Sequence, residues 1–180
     1  ITLHVGAGTF KPVSSDTIGE HEMHVEKIAI ARQNIQCICN HFGQPIIPVG
    51  TTTVRTIESV YWFGVKLECD PTLDEMHVLQ WDPYELAEKS LPPEKAYHNV
   101  LNWMDRHEYD QLDGDTQLLI APEYKYHVIN GLITNFHQPK STLLLLVSAL
   151  IGDMWKDCYQ HALKNGYRFL SYGDSCLFLT

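Results

Sequence analysis

The stretch IIPVGTTTVRTIESVYW, residues 46–62, carries the clearest indication of the fold. Its first four residues, Ile46–Val49, form a short apolar run that predicts a buried strand. Gly50 and three threonines follow, and threonine hydroxyls at this position predict the cap of a helix that runs to about Trp62. A strand that passes through a glycine turn directly into a helix is the building unit of an α/β domain.

Hydrophobic periodicity extends this alternation over the rest of the chain. We expect extended stretches at residues 1–5, 23–31, 117–121, 132–136 and 175–179, and helices at residues 32–41, 92–107, 143–150 and 155–165. Residues 65–91 contain scattered prolines and acids and predict an elaborated loop or a small subelement. The sequence therefore predicts an α/β domain with a mostly parallel sheet and flanking helices, and closure into a barrel stays open as an alternative.

The charge of the chain is acidic. Its 180 residues carry 22 acids against 13 bases, a formal net charge of −9. Broad nucleic-acid binding needs a basic face that displaces counterions, and this balance argues against such a face. Any contact with RNA is therefore expected to be local, or to be made by residues that this sequence lacks.

Membrane insertion and secretion are not indicated. The longest apolar run, Leu143–Ile151, is interrupted by Ser148 and is far shorter than the roughly 20 residues of a membrane helix. The five cysteines include Cys37 and Cys39, whose spacing fits neither a redox motif nor a zinc ribbon. Free thiols suit a reducing compartment, so we expect a cytoplasmic protein.

Two polar motifs lie near the start of the chain. Gly6, Gly8 and Thr9 follow the first predicted strand and offer backbone amides that are able to hold a carboxylate, phosphate or ribose, although a plain tight turn is the alternative. His21 and His24 are too close for a zinc helix, so no metal is expected. His24 and Glu26 share one side of an extended segment, about 7 Å apart, and form either an acid–base or ligand-binding pair or a solvated face.

Two further motifs lie at strand-to-helix junctions. Gly50, Thr51 and Thr52 predict an anion-attracting helix start, and Arg55 one turn later forms either a surface pair with Glu58 or part of a polar cluster.

Residues 134–142, TNFHQPKST, hold the densest set of catalytic residue types. Ser141 or Thr142 is expected to cap the next helix, and His137 is a candidate proton carrier because its ordinary pKa lies near neutrality.

These motifs together resemble the S-adenosylmethionine:tRNA ribosyltransferase-isomerase family of queuosine biosynthesis. Six blocks occur in the family's order, and they lie at residues 3–10, 23–26, 49–59, 134–139, 141–144 and 167–174. The resemblance implies that residues 1–180 form the carboxy-terminal part of an α/β main domain, without its amino-terminal part and its inserted β-barrel domain. The opening on a strand, without an initiator Met, favours the same interpretation.

The resemblance also implies the reaction. S-adenosylmethionine serves as ribosyl donor and substrate, with no permanently bound cofactor, and the acceptor is 7-aminomethyl-7-deazaguanine at the tRNA wobble position. Because the sulfonium acidifies the C5′ hydrogens, a base removes one of them; adenine leaves, the aminomethyl group attacks, and methionine is expelled. The product is epoxyqueuosine. We expect a monomer that binds tRNA and S-adenosylmethionine and no membrane.

Residue roles follow as hypotheses from this resemblance. Proton transfer is assigned to His137 or His4, with His24 and Glu26 as further candidates. The residues expected to hold the donor are Gly6, Gly8, Thr9, Gly50, Thr51, Thr52 and Asn135. Those expected to meet the substrate carboxylate or RNA are Arg55, Lys140, Tyr172 and Asp174.

Two other interpretations remain open. A Rossmann-type methyltransferase would place an acid at the end of the strand after the glycine loop, where this sequence has Gly50 and Thr51. A non-catalytic fragment or paralogue would bind only RNA or another protein. Analysis of the products separates these classes, because methyl transfer yields S-adenosylhomocysteine and ribosyl transfer yields adenine and methionine.

Overall fold

The computed structural model describes residues 2–4, 19, 21–170 and 172–180. The strands in this part are β1 (Thr2–His4), β2 (Glu26–Ala31), β3 (Met76–Val78), β4 (Gln111–Thr116), β5 (Gly131–Asn135) and β6 (Ser175–Leu179). The helices are α1 (Arg32–Asn40), α2 (Thr51–Cys69), α3 (Asp82–Glu85), α4 (Pro93–Arg106), α5 (Thr142–Ile151) and α6 (Met154–Lys164), with a 3₁₀ turn at Ala87–Lys89. No helix within these ranges is long and apolar enough to cross a membrane.

The strands form two small sheets. The first has the order β1-β2-β4-β3, in which β2 is antiparallel to both neighbours and β3 is parallel to β4. The second consists of β5 and β6, which are antiparallel. The α/β class is confirmed, but the prediction of a mostly parallel sheet is wrong, and the described strands do not close into a barrel. Side-chain periodicity marks a strand without giving the direction of its neighbours, which explains the error.

Helix α2 forms the centre of the core. Its residues from Val54 to Val65 are all buried, and it packs along α4 with Gly64 against the backbone of Ala96, where a side chain would overlap. The predicted end at Trp62 is wrong, because apolar residues continue the buried face and the helix ends at Cys69. The predicted strand Ile46–Val49 is reduced to one parallel bridge between Val49 and Ile133.

A second strand was predicted at the wrong place. The apolar run 117–121 is buried but irregular, and the strand lies before it, at β4. Polar residues interrupt β4, and Gly114 within it lies so close to Met76 of β3 that a side chain would overlap.

The predicted helices at 32–41, 92–107, 143–150 and 155–165 are confirmed to within a few residues.

Glu58 of α2 organises the loop that leads into β5. Its side chain is fully buried and accepts hydrogen bonds from the Tyr124 hydroxyl (2.8 Å) and from the backbone N–H groups of His127 (3.2 Å) and Val128 (2.9 Å). Burial raises the pKa of Glu58, while these donors act in the opposite direction. Glu58 therefore does not form the surface pair with Arg55 that its spacing suggested.

We predict that Glu58→Ala lowers the free energy of unfolding by about 3 kcal/mol, because it leaves buried N–H groups without an acceptor. The matched control is Glu68→Ala on the same helix, since Glu68 is exposed and pairs with Lys95. Loss of that surface pair is expected to cost less than about 1 kcal/mol. Urea denaturation followed by circular dichroism measures both values, and equal losses would contradict the role of Glu58.

Candidate functional site

Three side chains from two elements meet at the start of β2. One oxygen of Glu26, Oε1, lies 2.9 Å from His24 Nε2 and 3.0 Å from Arg55 Nη1 of α2. Glu26 is 2% exposed and Arg55 is 3% exposed. The carboxylate is therefore held inside the core rather than on a solvated face, which excludes that alternative, and it orients the His24 ring.

Arg55 is fixed by a second contact. Its Nε donates to the Leu118 carbonyl (3.1 Å), and its Nη2 is buried without a hydrogen-bond partner among the described residues. Burial lowers the pKa of Arg55, and Glu26 opposes this by favouring the cation. Arginine keeps its charge in proteins, so Glu26 and Arg55 form a buried ion pair.

Two glutamines that sequence reasoning missed hold the segment before Glu26. Gln80 accepts from the backbone N–H of Met23 (2.9 Å) and donates to the carbonyl of His21 (2.6 Å). Gln117 donates to the carbonyl of Met23 (3.0 Å). Nothing in the sequence distinguishes these amides from surface glutamines, because their partners are backbone groups distant in the chain.

An open cleft of about 340 Å³ lies along this segment. Residues 21–25, Gln117 and Thr142 line it, so His24 and the first residue of α5 face the same space. The fold thereby brings one predicted motif, His24–Glu26, next to the end of another, residues 134–142.

His137 is in a different setting. Its ring Nε2 lies 2.8 Å from the Thr134 hydroxyl, and its backbone N–H donates to the Tyr159 hydroxyl (2.9 Å). Burial lowers the pKa of His137 to about 4, so the imidazole is neutral at pH 7. Ser141 accepts from the Leu144 N–H (3.2 Å), which confirms the predicted helix cap.

The glycine–threonine turn begins α2 in an unexpected way. Gly50 is the N-cap residue with φ 89°, and no side chain caps the helix, so the predicted threonine cap is wrong. The Thr53 hydroxyl instead donates backwards to the Val49 carbonyl (2.7 Å). The backbone N–H of Gly50 donates to the Ile133 carbonyl (2.8 Å), which places this turn beside β5.

The remaining predicted residues lie at the surface near the end of β5. Asn135 and Lys140 are exposed, and Lys140 occupies a turn with φ 58°. Asp174 accepts from Arg168 Nε (2.9 Å) and from the Arg168 backbone N–H (2.8 Å), which gives Asp174 a structural role. Tyr172 is 67% exposed.

Several residues of the predicted site lie at the start of the chain. Gly6, Gly8 and Thr9 lie outside the described residues, as does the side chain of His4. Within the described ranges, no three His, Cys, Asp or Glu side chains are grouped so that they could hold a metal ion. The five cysteines are free thiols.

We predict that Arg55→Ala lowers the free energy of unfolding by about 3–5 kcal/mol, because the change leaves the Glu26 carboxylate buried without its cation. Arg32→Ala is the matched control, since Arg32 pairs with Asp105 at the surface (2.7 Å). That pair is expected to contribute at most about 1 kcal/mol. The comparison is made by urea denaturation, and an Arg55 loss as small as the Arg32 loss would show that the buried pair is not needed.

Burial of His137 predicts a dependence of stability on acid. Because the folded pKa of about 4 is below the ordinary value of 6.5, the unfolded chain binds the proton more readily, and stability falls as the pH drops below about 6.5. Between pH 7 and pH 5, His137→Gln should reduce this loss by about 2 kcal/mol. Urea denaturation at both pH values tests this against His98→Gln, which changes an exposed histidine. An unchanged pH dependence in His137→Gln would contradict the lowered pKa.

Comparison with known proteins places the chain in a family. Residues 1–178 match the family model described as queuosine biosynthesis protein. The S-adenosylmethionine:tRNA ribosyltransferase-isomerase of Gluconacetobacter diazotrophicus is 37% identical over 180 residues, which cover 98% of this chain and 39% of that protein. The Treponema denticola protein of the same name is 38% identical over 183 residues, covering 99% of this chain and 41% of the relative.

A solved structure agrees with this match. The crystal structure of S-adenosylmethionine tRNA ribosyltransferase from Thermotoga maritima aligns with a TM-score of 0.54 and 28% identity, over 84% of this chain and 40% of that one. The chain thus spans about two fifths of the length of these relatives. Its sequence, over almost its entire length, belongs to the queuosine biosynthesis protein family.

Proposed function

We propose that this protein transfers and isomerises the ribosyl group of S-adenosylmethionine onto 7-aminomethyl-7-deazaguanine in tRNA, with release of adenine and methionine. The observation that carries the proposal is the His24 ring, which is held by a buried carboxylate–guanidinium pair and faces a cleft shared with Thr142. The names of the relatives support the substrates. Since those relatives are longer, this chain supplies one wall of the site.

His24 is the proposed base for the C5′ proton. Because a carboxylate only accepts hydrogen bonds, we assign the proton to Nε2, which lies 2.9 Å from Glu26 Oε1, and the basic lone pair to Nδ1. A base whose ring is oriented by a second group is the usual arrangement for proton transfer in enzymes. Arg55 acts through Glu26 as a positioning residue, because its guanidinium is buried in the core and does not reach a substrate at the surface.

His137 has a positioning role in this proposal. Its pKa of about 4 makes it a poor acceptor for a proton at neutral pH, and its ring is engaged by Thr134. The bonds that it forms tie the loop after β5 to α6 and so set the position of Thr142 at the cleft.

Donor binding is assigned to the turn that begins α2 together with the end of β5. The first-turn N–H groups of Thr51 and Thr52 carry no side-chain cap and attract an anion such as the methionine carboxylate. Asn135 is assigned to this site because it lies two residues after Ile133, whose carbonyl accepts from the Gly50 N–H. Gly6, Gly8 and Thr9 remain assigned to the donor through the family resemblance.

The alternatives are less well supported. A Rossmann methyltransferase requires a parallel doubly wound sheet, whereas the described strands form a mixed sheet and an antiparallel pair. A non-catalytic role does not account for the buried ion pair beneath a cleft-facing histidine. We further propose that the protein acts as a monomer in the cytoplasm.

The experiment is single-turnover release of adenine from S-adenosylmethionine in the presence of tRNA that carries the acceptor base. His24→Asn should slow this release by about 100-fold or more because it removes the base, and Glu26→Gln by at least about tenfold because it removes the carboxylate that orients the base. His137→Asn should have a smaller effect, and His98→Asn is the control on an exposed histidine.

Two results would contradict the proposal. Formation of S-adenosylhomocysteine by the unchanged protein would show methyl transfer instead of ribosyl transfer. Adenine release by His24→Asn at the unchanged rate, together with a large loss in His137→Asn, would return the proton-transfer role to His137.

A further inference from the structure

Basic charge is concentrated in one part of this acidic chain. Residues 135–172 hold four of the thirteen bases and only two of the 22 acids, a formal charge of +2. The other 142 residues carry nine bases and twenty acids, a formal charge of −11. A polyanion is therefore attracted to this segment and repelled by the rest.

Hydrogen bonds and a ring contact hold the parts of this segment together. The Leu170 N–H donates to the Phe136 carbonyl (2.8 Å), and the Tyr167 ring lies against the Phe136 ring (5.8 Å between centroids). The His137 N–H donates to Tyr159 of α6 (2.9 Å). These contacts join the loop after β5 to the end of α6 and the turn that follows it.

Tyr172 is the last residue of this segment. Tyr172 is 67% exposed, and the Arg168 guanidinium lies over its ring at 5.7 Å from the centroid. Arg168 also donates to the Tyr172 carbonyl (2.6 Å) and is held by Asp174. The ring is thus supported from one side by a cation that is itself fixed, which leaves an aromatic face open to solvent.

Two lysines of the same segment carry charges that no acid compensates within the described ranges. Lys140 and Lys164 are exposed, and neither forms an ion pair with any residue in the described ranges. By contrast, Lys156 pairs with Asp153 (2.6 Å). Lys140 and Lys164 therefore keep their full charge toward solvent, which is the condition for contact with phosphates.

We infer that the Tyr172 ring, supported by Arg168, is a stacking platform for an unpaired base of single-stranded RNA. Lys140 and Lys164 meet the neighbouring phosphates. An exposed aromatic ring beside basic side chains is the arrangement that single-stranded nucleic acid recognises, because every base has a face that stacks. We call these four residues the stacking patch.

The location of the patch fits the proposed reaction, on which this inference rests. The loop of residues 135–142 carries Lys140 at the patch and Thr142 at the cleft of His24. A base that stacks on Tyr172 would belong to the same RNA loop as the acceptor base, which must be unpaired to reach the cleft. The patch thus supplies the local RNA contact that the acidic charge of the whole chain requires.

The test measures binding of an anticodon stem-loop RNA, and the KM for tRNA in adenine release, in the full protein. Tyr172→Ala should weaken binding and raise KM by about tenfold or more, whereas Tyr172→Phe, which keeps the ring, should stay within about twofold. Tyr109→Ala is the matched control, because Tyr109 is 45% exposed and lies on another face, beside Asp113 and Asp115.

The charges are tested by salt dependence. Lys140→Gln and Lys164→Gln should each flatten the slope of log affinity against log salt by about 0.7, and Arg106→Gln on α4 should leave it unchanged. This measurement keeps the inference testable if Tyr172→Ala fails to fold, as judged by circular dichroism.

The outcomes separate the two proposals. If the unchanged protein releases adenine but Tyr172→Ala behaves like Tyr109→Ala and the lysine variants keep the wild-type slope, the stacking patch is wrong and the surface serves another partner, such as a protein. If the unchanged protein binds the RNA through these residues but releases no adenine, the proposed function fails while the patch stands.

Discussion

The pairing of buried charges is the constraint on which the rest of the structure depends. Helix α2 carries Arg55 and Glu58 into the core, where an uncompensated charge would cost several kcal/mol. Glu26 neutralises Arg55, and hydrogen bonds from Tyr124 and the following loop satisfy Glu58. These two requirements tie β2 and the loop before β5 to neighbouring positions on one helix, because residues three apart lie on the same side of it. The core therefore positions the elements that carry the site.

The same constraint gives the site its chemistry. The Glu26 carboxylate, which is held by Arg55 in the core, presents one oxygen to His24, whose ring reaches the cleft. His137, by contrast, is buried beside a hydroxyl, and its pKa falls because no anion compensates for its loss of solvent. Two histidines of similar appearance in the sequence thus differ because His24 has a charged partner, whereas His137 forms no ion pair within the described ranges.

Charge distribution makes an acidic chain compatible with the RNA substrate that we propose. The excess of acids lies outside residues 135–172, so the proposed RNA would be attracted toward the loop after β5 and the turn after α6. Asp174, which appeared in the sequence as a possible substrate contact, instead fixes Arg168 beneath the Tyr172 ring. Its contribution to the proposed binding of RNA is therefore indirect.

The sequence by itself determined the family, the α/β class, most helix positions and the placement of His24 and Glu26 on one side of an extended segment, because these depend on local periodicity and short motifs. Only the tertiary structure decided the strand directions and the extension of α2 to Cys69. It also decided that Arg55 pairs with Glu26 and not with Glu58, and that Gln80 and Gln117 hold the segment before Glu26. Each of these depends on groups far apart in the chain, and the free energy of burying a polar group depends on the partner that the fold brings to it.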